Sequence, residues 1–396
     1  MSSVPTSEEP GEPPLFTRDF ALLLATQLTF GFAFSSFFLL PKYVVTELHG
    51  SPSQVGYVGA LSVVAAVLAS PVCGKLLDRG GRRSMIFLGC LLSGLAAFAF
   101  LGVTEIGSYM YAVRAVQGVA YTMYFVAAAT LVADLAPPSR LGQALGWFGS
   151  AGLVMSAVAT LVAERIAHDF GWHAVFITAG SVGLLGACVA LLLPEPKRHP
   201  KAVLATSPAR QPLPSNRLAV LWAAAAGGAA FGVMFTFTQP LALSLGDTNI
   251  SPLFASYTAT ALLVRVVFGN LADRLGRARV GGAALAVYSL VVAATAGLAR
   301  GWLGVLGLGF GVAHGAFYPS LNALALEGVE RDQRGTVGAQ FNAAFNAGVL
   351  LVTFCFGQIA QQYGYRVVFL LVACLSASGC LALWGQARKA WLTRPL

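Results

Sequence analysis

Charge is the first thing this sequence lacks. Of its 396 residues only 10% are Asp, Glu, Lys or Arg, while 57% are hydrophobic. A soluble domain usually carries about a quarter charged residues. A water-facing surface cannot be built from this composition, so much of the solvent must be lipid. Acid is scarcer than base: the sixteen Asp and Glu residues fall in the N-terminal tail, in loops or at the ends of apolar runs. A buried carboxylate relay is therefore not expected in mid-membrane. Cysteine is limited to Cys73, Cys90, Cys188, Cys355, Cys374 and Cys380. With no CxxC pair or Cys/His cluster among them, neither a disulfide framework nor a metal site is supported, and they read as small apolar residues. A Walker loop, an HExxH pair and a nucleophile–histidine–acid set are also missing. The chain reads as neither an enzyme nor an ATP-driven pump, and no cofactor is expected.

Long apolar runs are what the sequence has in abundance. About 20 apolar residues of helix cross a hydrocarbon core, and twelve runs qualify: 19–41, 53–77, 83–103, 108–133, 141–164, 172–193, 218–245, 252–272, 280–299, 302–326, 335–361 and 366–387. The polar, acidic, proline-rich start has no basic n-region or cleavage site. Residues 1–16 read as a disordered cytoplasmic tail. Residues 194–217 hold Lys197, Arg198, Lys201, Arg210 and Arg217 with six prolines. They read as a solvated linker between an N-terminal six-helix bundle, 17–193, and a C-terminal one, 218–396.

The net charge of +9 does not imply nucleic acid, because no basic face with interleaved aromatics exists. The basic residues sit in short loops instead. With both termini inside, nineteen Lys and Arg lie on the cytoplasmic side, against Lys42, Arg165, Arg300 and Arg366 outside. That asymmetry orients a multi-pass inner-membrane protein.

The two halves repeat. Gly74-x-Leu76-x-Asp78-Arg79-x-Gly81-Arg82-Arg83 returns as Gly269-x-Leu271-x-Asp273-Arg274-x-Gly276-Arg277, with Asp273 lying 195 residues after Asp78. Gly171-Trp172 and Gly364-Tyr365 recur at 193, as do Asp134 and Glu327. Such duplication is a feature of transporters that rock around a midplane site. The glycines permit tight turns. Asp78 and Asp273 can accept charge-assisted hydrogen bonds from a helix N-terminus or an arginine, forming a contact that holds an inner gate shut. Anchoring at the headgroups is the plainer alternative for these loops.

The repeated loop, together with Arg114-x-x-Gln117-Gly118 in the fourth run, resembles the signatures of the major facilitator superfamily over roughly residues 17 to 388. Asp134-Leu135-x-Pro137-x-x-Arg140, and Tyr318-Pro319 followed by Glu327 and Arg334-Gly335, look most like the bacterial arabinose-efflux-permease-like branch. The resemblance implies an all-α membrane fold of twelve helices in two pseudo-symmetric six-helix bundles, solute export, and a cavity lined by helices 1, 4, 7 and 10. One departure concerns helix 5. Gly146, Gly149 and Gly152 are present, but the Gly-Pro step of the family's drug/proton antiporters is not. The three glycines then read as close-packing positions.

Polar groups within the runs are the site candidates, because charge in the membrane is costly. Arg114 suits an anionic group or a neighbouring proton carrier; snorkelling or a bond to backbone carbonyls is its structural alternative. Arg265 reads mainly as structural, reaching inward toward a carboxylate. His314 titrates near physiological pH when unperturbed, and the repeat aligns it with Tyr121; as a lone histidine it is equally a packing residue. Gln27, Gln117, Gln239, Asn342 and Asn346 complete the substrate or coupling candidates, each otherwise interhelical glue. Gly74, Asp78, Arg79, Arg82, Gly269, Asp273, Arg274 and Arg277 are the gating set. The expectation is a monomeric, alternating-access exporter of amphipathic or anionic small organic molecules, with the bilayer and protons as its further partners. Import or exchange of a small organic anion is the alternative.

Overall fold

The computed structural model describes residues 14–195, 215–268, 271–330 and 333–392, apart from the side chains at 78, 138, 215, 216, 268, 271, 273, 335 and 386–392. Most of the tail expected over 1–16, most of the linker expected over 194–217, and Gly269 lie outside the described residues.

Among those residues every regular element is helical. The long helices are α1 (Arg18–Thr46), α2 (Pro52–Gly80), α3 (Arg82–Ala99), α4 (Ser108–Leu135), α5 (Leu141–Phe170), α6 (Trp172–Ala190), α7 (Arg217–Ser244), α8 (Ser251–Phe268), α9 (Arg277–Ala296), α10 (Leu303–Ala325), α11 (Arg334–Tyr363) and α12 (Tyr365–Leu392). Ten are long and apolar enough to cross a membrane. The other two are α8, with 18 residues, and α10, whose apolar character is diluted by glycines, His314 and Pro319. Together they fit the expected twelve-helix plan.

Local chemistry sets the helix ends. Ser51 and Gln54 form a capping box at the start of α2, with Pro52 in the first turn, where its missing N–H costs nothing. Gly81, Gly171, Gly276 and Gly364 take φ between 80° and 95° at the α2–α3, α5–α6, α8–α9 and α11–α12 turns. Side-chain-bearing residues avoid that region, which explains why these glycines recur at the repeat spacing. α1 and α7 are interrupted. A 3-10 turn, Ser36–Leu39, precedes the Leu40–Thr46 segment containing Pro41, and Phe237 precedes the Thr238–Ser244 segment containing Pro240. Proline removes one ladder bond and crowds the preceding turn.

The packing repeats as well. α1 packs on α5 and α6, α2 on α4, and α3 on α4 and α6. Six helices later, α7 packs on α11 and α12, α8 on α10, and α9 on α10 and α12. The halves meet chiefly along two related seams, α2 with α11 and α5 with α8. One continuous apolar core joins Phe37, Tyr43, Val55 and Phe176 of the first half to the C-terminal half. A separate core of Leu15, Phe20, Leu77, Met85, Leu131 and Phe148 fills the other end of the first half.

Candidate functional site

The two seams are sealed at one end, which Lys42 marks. The Lys42 ammonium lies 2.5 Å from Glu164 Oε1 and donates to the Thr248 carbonyl at 2.5 Å. Glu164 is 7% exposed. Its carboxylate also accepts from the amides of Ile250, at 2.8 and 3.0 Å, and Ser251, at 2.5 Å, and from the Ser251 hydroxyl. An α5 carboxylate thus caps the N-terminus of α8 across the seam, where the helix dipole favours negative charge. The sequence reading put this residue at a helix end. The helix instead runs six residues further, to Phe170, because its polar face continues beyond the apolar run. A vestibule of about 700 Å³ lies beside the clamp, lined in part by Lys42, Glu47, Glu164, Arg165 and His168.

Further bonds close the same end. The Ser53 hydroxyl donates to Gln361 Oε1 at 2.6 Å, Gln358 donates to the Tyr57 hydroxyl, and Gln239 Nε2 donates to the Phe38 carbonyl at 2.7 Å. Midway along α5–α8, Ser156 and Thr258 hydroxyls are 3.0 Å apart. A Cβ at Gly56 would overlap the Thr353 carbonyl, so α2 and α11 approach to backbone contact. Farther along these helices the fit loosens. Gly74, Gly142, Gly146, Gly149 and Gly338 have open space where a Cβ would stand, and Leu68 and Val266 are 71% and 83% exposed. The halves diverge toward the linker end. Of the three α5 glycines expected to pack closely, only Gly152 meets a neighbour, Gln27 Nε2.

Between the ends lies an aromatic zone. Tyr124 stacks on Phe30 at 3.8 Å and donates to Gln27 Oε1 at 2.9 Å. Tyr121 stacks on Phe34 at 4.8 Å and interacts electrostatically with Tyr318 of the other half. Phe38 meets Phe235 edge-on at 5.1 Å across the seam. His314 Nδ1 is 2.6 Å from the Tyr288 hydroxyl, with the Phe231 and Tyr257 rings at 5.1 and 5.8 Å. Tyr318 donates to Asn342 Oδ1 at 2.6 Å, and Asn342 is exposed where α11 borders the opening. Asn346, one turn on, is half-buried.

Arg114 is bound into the first half. Nε donates to the Val58 carbonyl at 3.0 Å, one terminal nitrogen to Gln117 Oε1 at 2.5 Å, and the other to the Ser62 hydroxyl at 2.7 Å. A Cβ at Gly118 would overlap the Ser62 carbonyl. The Arg114–Gln117–Gly118 motif therefore brings α4 against α2 and caps the contact with polar bonds. Arg265 differs: its Nε is buried with no hydrogen-bond partner. The carboxylate expected for it lay toward Asp273, whose side chain is outside the described residues; among the described residues it interacts electrostatically with Tyr257, Tyr318 and Tyr288.

In the repeated loops the side chains of Asp78 and Asp273, with Gly269, are outside the described residues. Arg82 Nε donates to Asp134 Oδ2 at 2.8 Å, and Glu195 accepts from the Arg82 and Arg83 amides at 2.9 and 3.0 Å. Arg277 donates to the Ala323 carbonyl at 3.4 Å. These bonds stay within one half. Arg79 and Arg274 are exposed. Asp134, noticed in the sequence as half of a repeated pair and in a family-like stretch, is thus an ion partner of the loop, and Glu195 was not foreseen.

Two pseudo-symmetric bundles, closed against each other at one end and parted at the other around an aromatic midsection, define a multi-pass membrane carrier. The chain belongs to the Major Facilitator Superfamily, whose model matches residues 22–251 and 223–395. It is a secondary transporter rather than an enzyme. It is similar to Multidrug resistance protein MdtG of Escherichia fergusonii, at 26% identity over 366 residues covering 88% of this chain and 89% of that protein. It is also similar to Multi-drug resistance efflux pump PmrA of Streptococcus pneumoniae, at 23% identity covering 86% and 89%. In fold it resembles a bacterial homolog of the human lysosomal transporter Spinster, solved inward-facing and unoccupied, with a TM-score of 0.74, 14% identity and coverage of 96% and 100%.

Proposed function

We propose that this chain exports amphipathic or anionic small organic molecules by alternating access, driven by the proton gradient. The observation that carries the reading is the asymmetry of the seams: a buried, multiply bonded clamp at the Lys42 end and separated helices at the linker end. With the linker cytoplasmic, as the Lys/Arg bias requires, the molecule stands open to the cytoplasm, ready to load a solute for export. The names of the MdtG and PmrA relatives support drug-like cargo, and the aromatic zone suits it.

Glu164 offers a route for coupling. It is a buried carboxylate that pairs with Lys42 within the first half and accepts hydrogen bonds from Ile250 and Ser251 of the second, beside an outward vestibule. Its charge holds the Lys42 ammonium and the cap on α8 together, so a neutral residue in its place would loosen the outer end. The other charged or titratable groups of that vestibule are Glu47, Arg165 and His168. At the opposite end, Asp78 and Asp273 in the repeated loops would form the inner gate when the halves close there.

Import or exchange of a small organic anion is the second reading, and the unpaired Arg265 favours it. The test is retention of fluorescent amphiphilic and anionic dyes by efflux-deficient bacterial cells expressing the chain. Lower retention that a protonophore abolishes is the expected result. Unchanged retention across the panel refutes export and turns attention to anion uptake in proteoliposomes.

A further inference from the structure

We propose that Arg265, beside Tyr257, Tyr288, His314 and Tyr318, anchors the anionic group of the transported solute. The inference rests on the transporter reading above and holds for either direction of transport. Three independent observations carry it.

The first is the missing partner. A guanidinium keeps its charge at any working pH, and an unpaired charge within a membrane protein costs several kcal/mol. Such a group is normally paired, as Arg114 is. The buried Nε of Arg265 donates to nothing, and its electrostatic neighbours are three phenols and His314. No carboxylate balances it among the described residues. Phenol hydroxyls can orient an anion beside a cation, but they do not neutralise the cation. The second is a one-sided distribution of orphan polar atoms. The four buried side-chain polar atoms without a partner among the described residues are Gln239 Oε1, Arg265 Nε, Asn322 Oδ1 and Gln340 Oε1. All four lie in the C-terminal half. Buried polar atoms are nearly always satisfied, so four orphans spread over α7, α8, α10 and α11, with none among the described residues of the first half, mark the C-terminal half for a polar ligand and its water. The third is access. Tyr318 is half-buried and Asn342 exposed, and the Tyr318–Asn342 hydrogen bond spans the rim on the side where the seams part. Tyr121 of the other half interacts electrostatically with Tyr318, so a solute held at Arg265 can lay an aromatic or apolar body against both bundles.

The solute class is thus a monoanionic amphipath: a carboxylate or sulfonate on an aryl or alkyl body. The anion supplies the counter-charge that the cavity lacks, so Arg265 discriminates by charge while the aromatic walls tolerate varied shapes.

The experiment uses the full-length protein in proteoliposomes with an imposed proton gradient. Four solutes share one aromatic body: 2-naphthylacetate, 2-naphthalenesulfonate, the neutral 2-naphthylacetamide and a 2-naphthyl trimethylammonium cation. The wild type is expected to move the two anions in preference to the amide and the cation. Arg265→Gln should lower the anions' transport efficiency by about tenfold or more, the scale of one hydrogen bond to a charged group, while sparing the amide. Arg265→Lys should fall between. Calorimetric binding of 2-naphthylacetate and its amide to the same variants supplies a readout independent of turnover. Equal handling of all four solutes by the wild type overturns the proposal, as does an anion preference that survives Arg265→Gln. Gradient-driven movement of the amide or cation alone overturns it too, while leaving the exporter reading intact. Movement of none of the four, with no binding, overturns both.

Discussion

The two halves share one packing plan and differ in how they treat buried polar groups. In the first half Arg114 sits at the α2–α4 contact with three hydrogen bonds. In the second half Arg265 lies on α8, the counterpart of α2, with its buried Nε unbonded. Both are arginines within apolar helices, and sequence alone favoured Arg114 as the functional one. The difference teaches that a charge inside a membrane is informative chiefly when it is unsatisfied. A fully bonded arginine holds helices together; an unbonded one awaits a ligand.

Substitutions at the clamp, the loops and the two arginines act differently on the two halves. Glu164→Ala removes the clamp and leaves Lys42 without its counter-charge. Hydrogen bonds to a charged group contribute about 1.5–3 kcal/mol each, and those from Ile250 and Ser251 exist only in the state closed at the Lys42 end. A cysteine introduced at Ser53 should then react with an impermeant maleimide at least tenfold faster; an unchanged rate removes Glu164 from the gate. Asp78→Asn comes next. It should slow transport severalfold at near-normal membrane abundance, and wild-type transport would reduce the repeated loop to an anchor. The arginines give a smaller and opposite-signed pair. Arg114→Gln should lower the thermal midpoint by the equivalent of about 1–3 kcal/mol, since the Val58 carbonyl, Gln117 and Ser62 lose a charged donor. Arg265→Gln should leave the midpoint of the ligand-free protein unchanged or raise it, because an uncompensated charge is removed. Equal losses for both would erase the distinction between the halves. The smallest effect is Gly149→Ala, within about 0.5 kcal/mol of the parent. Gly56→Ala, facing the Thr353 carbonyl, should clearly disfavour the sealed end.

Much of the fold was legible in the sequence, because apolar runs and turn glycines are local signals. The twelve runs are helices, and Gly81 and Gly276 mark the turns that their spacing suggested. Gln117 beside Arg114 also followed from spacing, since residues three apart share a helix face. The break in α7 was signalled by Pro240 yet missed, because that run is apolar enough to read as unbroken, whereas the first run was ended at Pro41 and α1 continues past it to Thr46. Glu164 was hidden for a different reason. Hydropathy stops where polarity begins, whereas α5 continues to Phe170, which turns an apparent helix end into a buried position on a seam. Its partners, Lys42, Ile250 and Ser251, are distant in sequence, and no periodicity reports a contact between bundles. The missing partner of Arg265 was equally invisible, since an unmade bond depends on every neighbour at once.

The central claim is that the two bundles must part at the Lys42 end for solute to cross. Ser53 and Gln361 are hydrogen-bonded across that seam at 2.6 Å. Cysteines at both positions, in a background lacking the six native cysteines, place two thiols within reach of a short bis-methanethiosulfonate, whose mixed disulfides a reductant reverses. The measurement is solute transport in proteoliposomes before cross-linking, after it, and after reduction. Transport should stop when the cross-link forms and return when it is reduced. Undiminished transport by fully cross-linked protein would contradict the account.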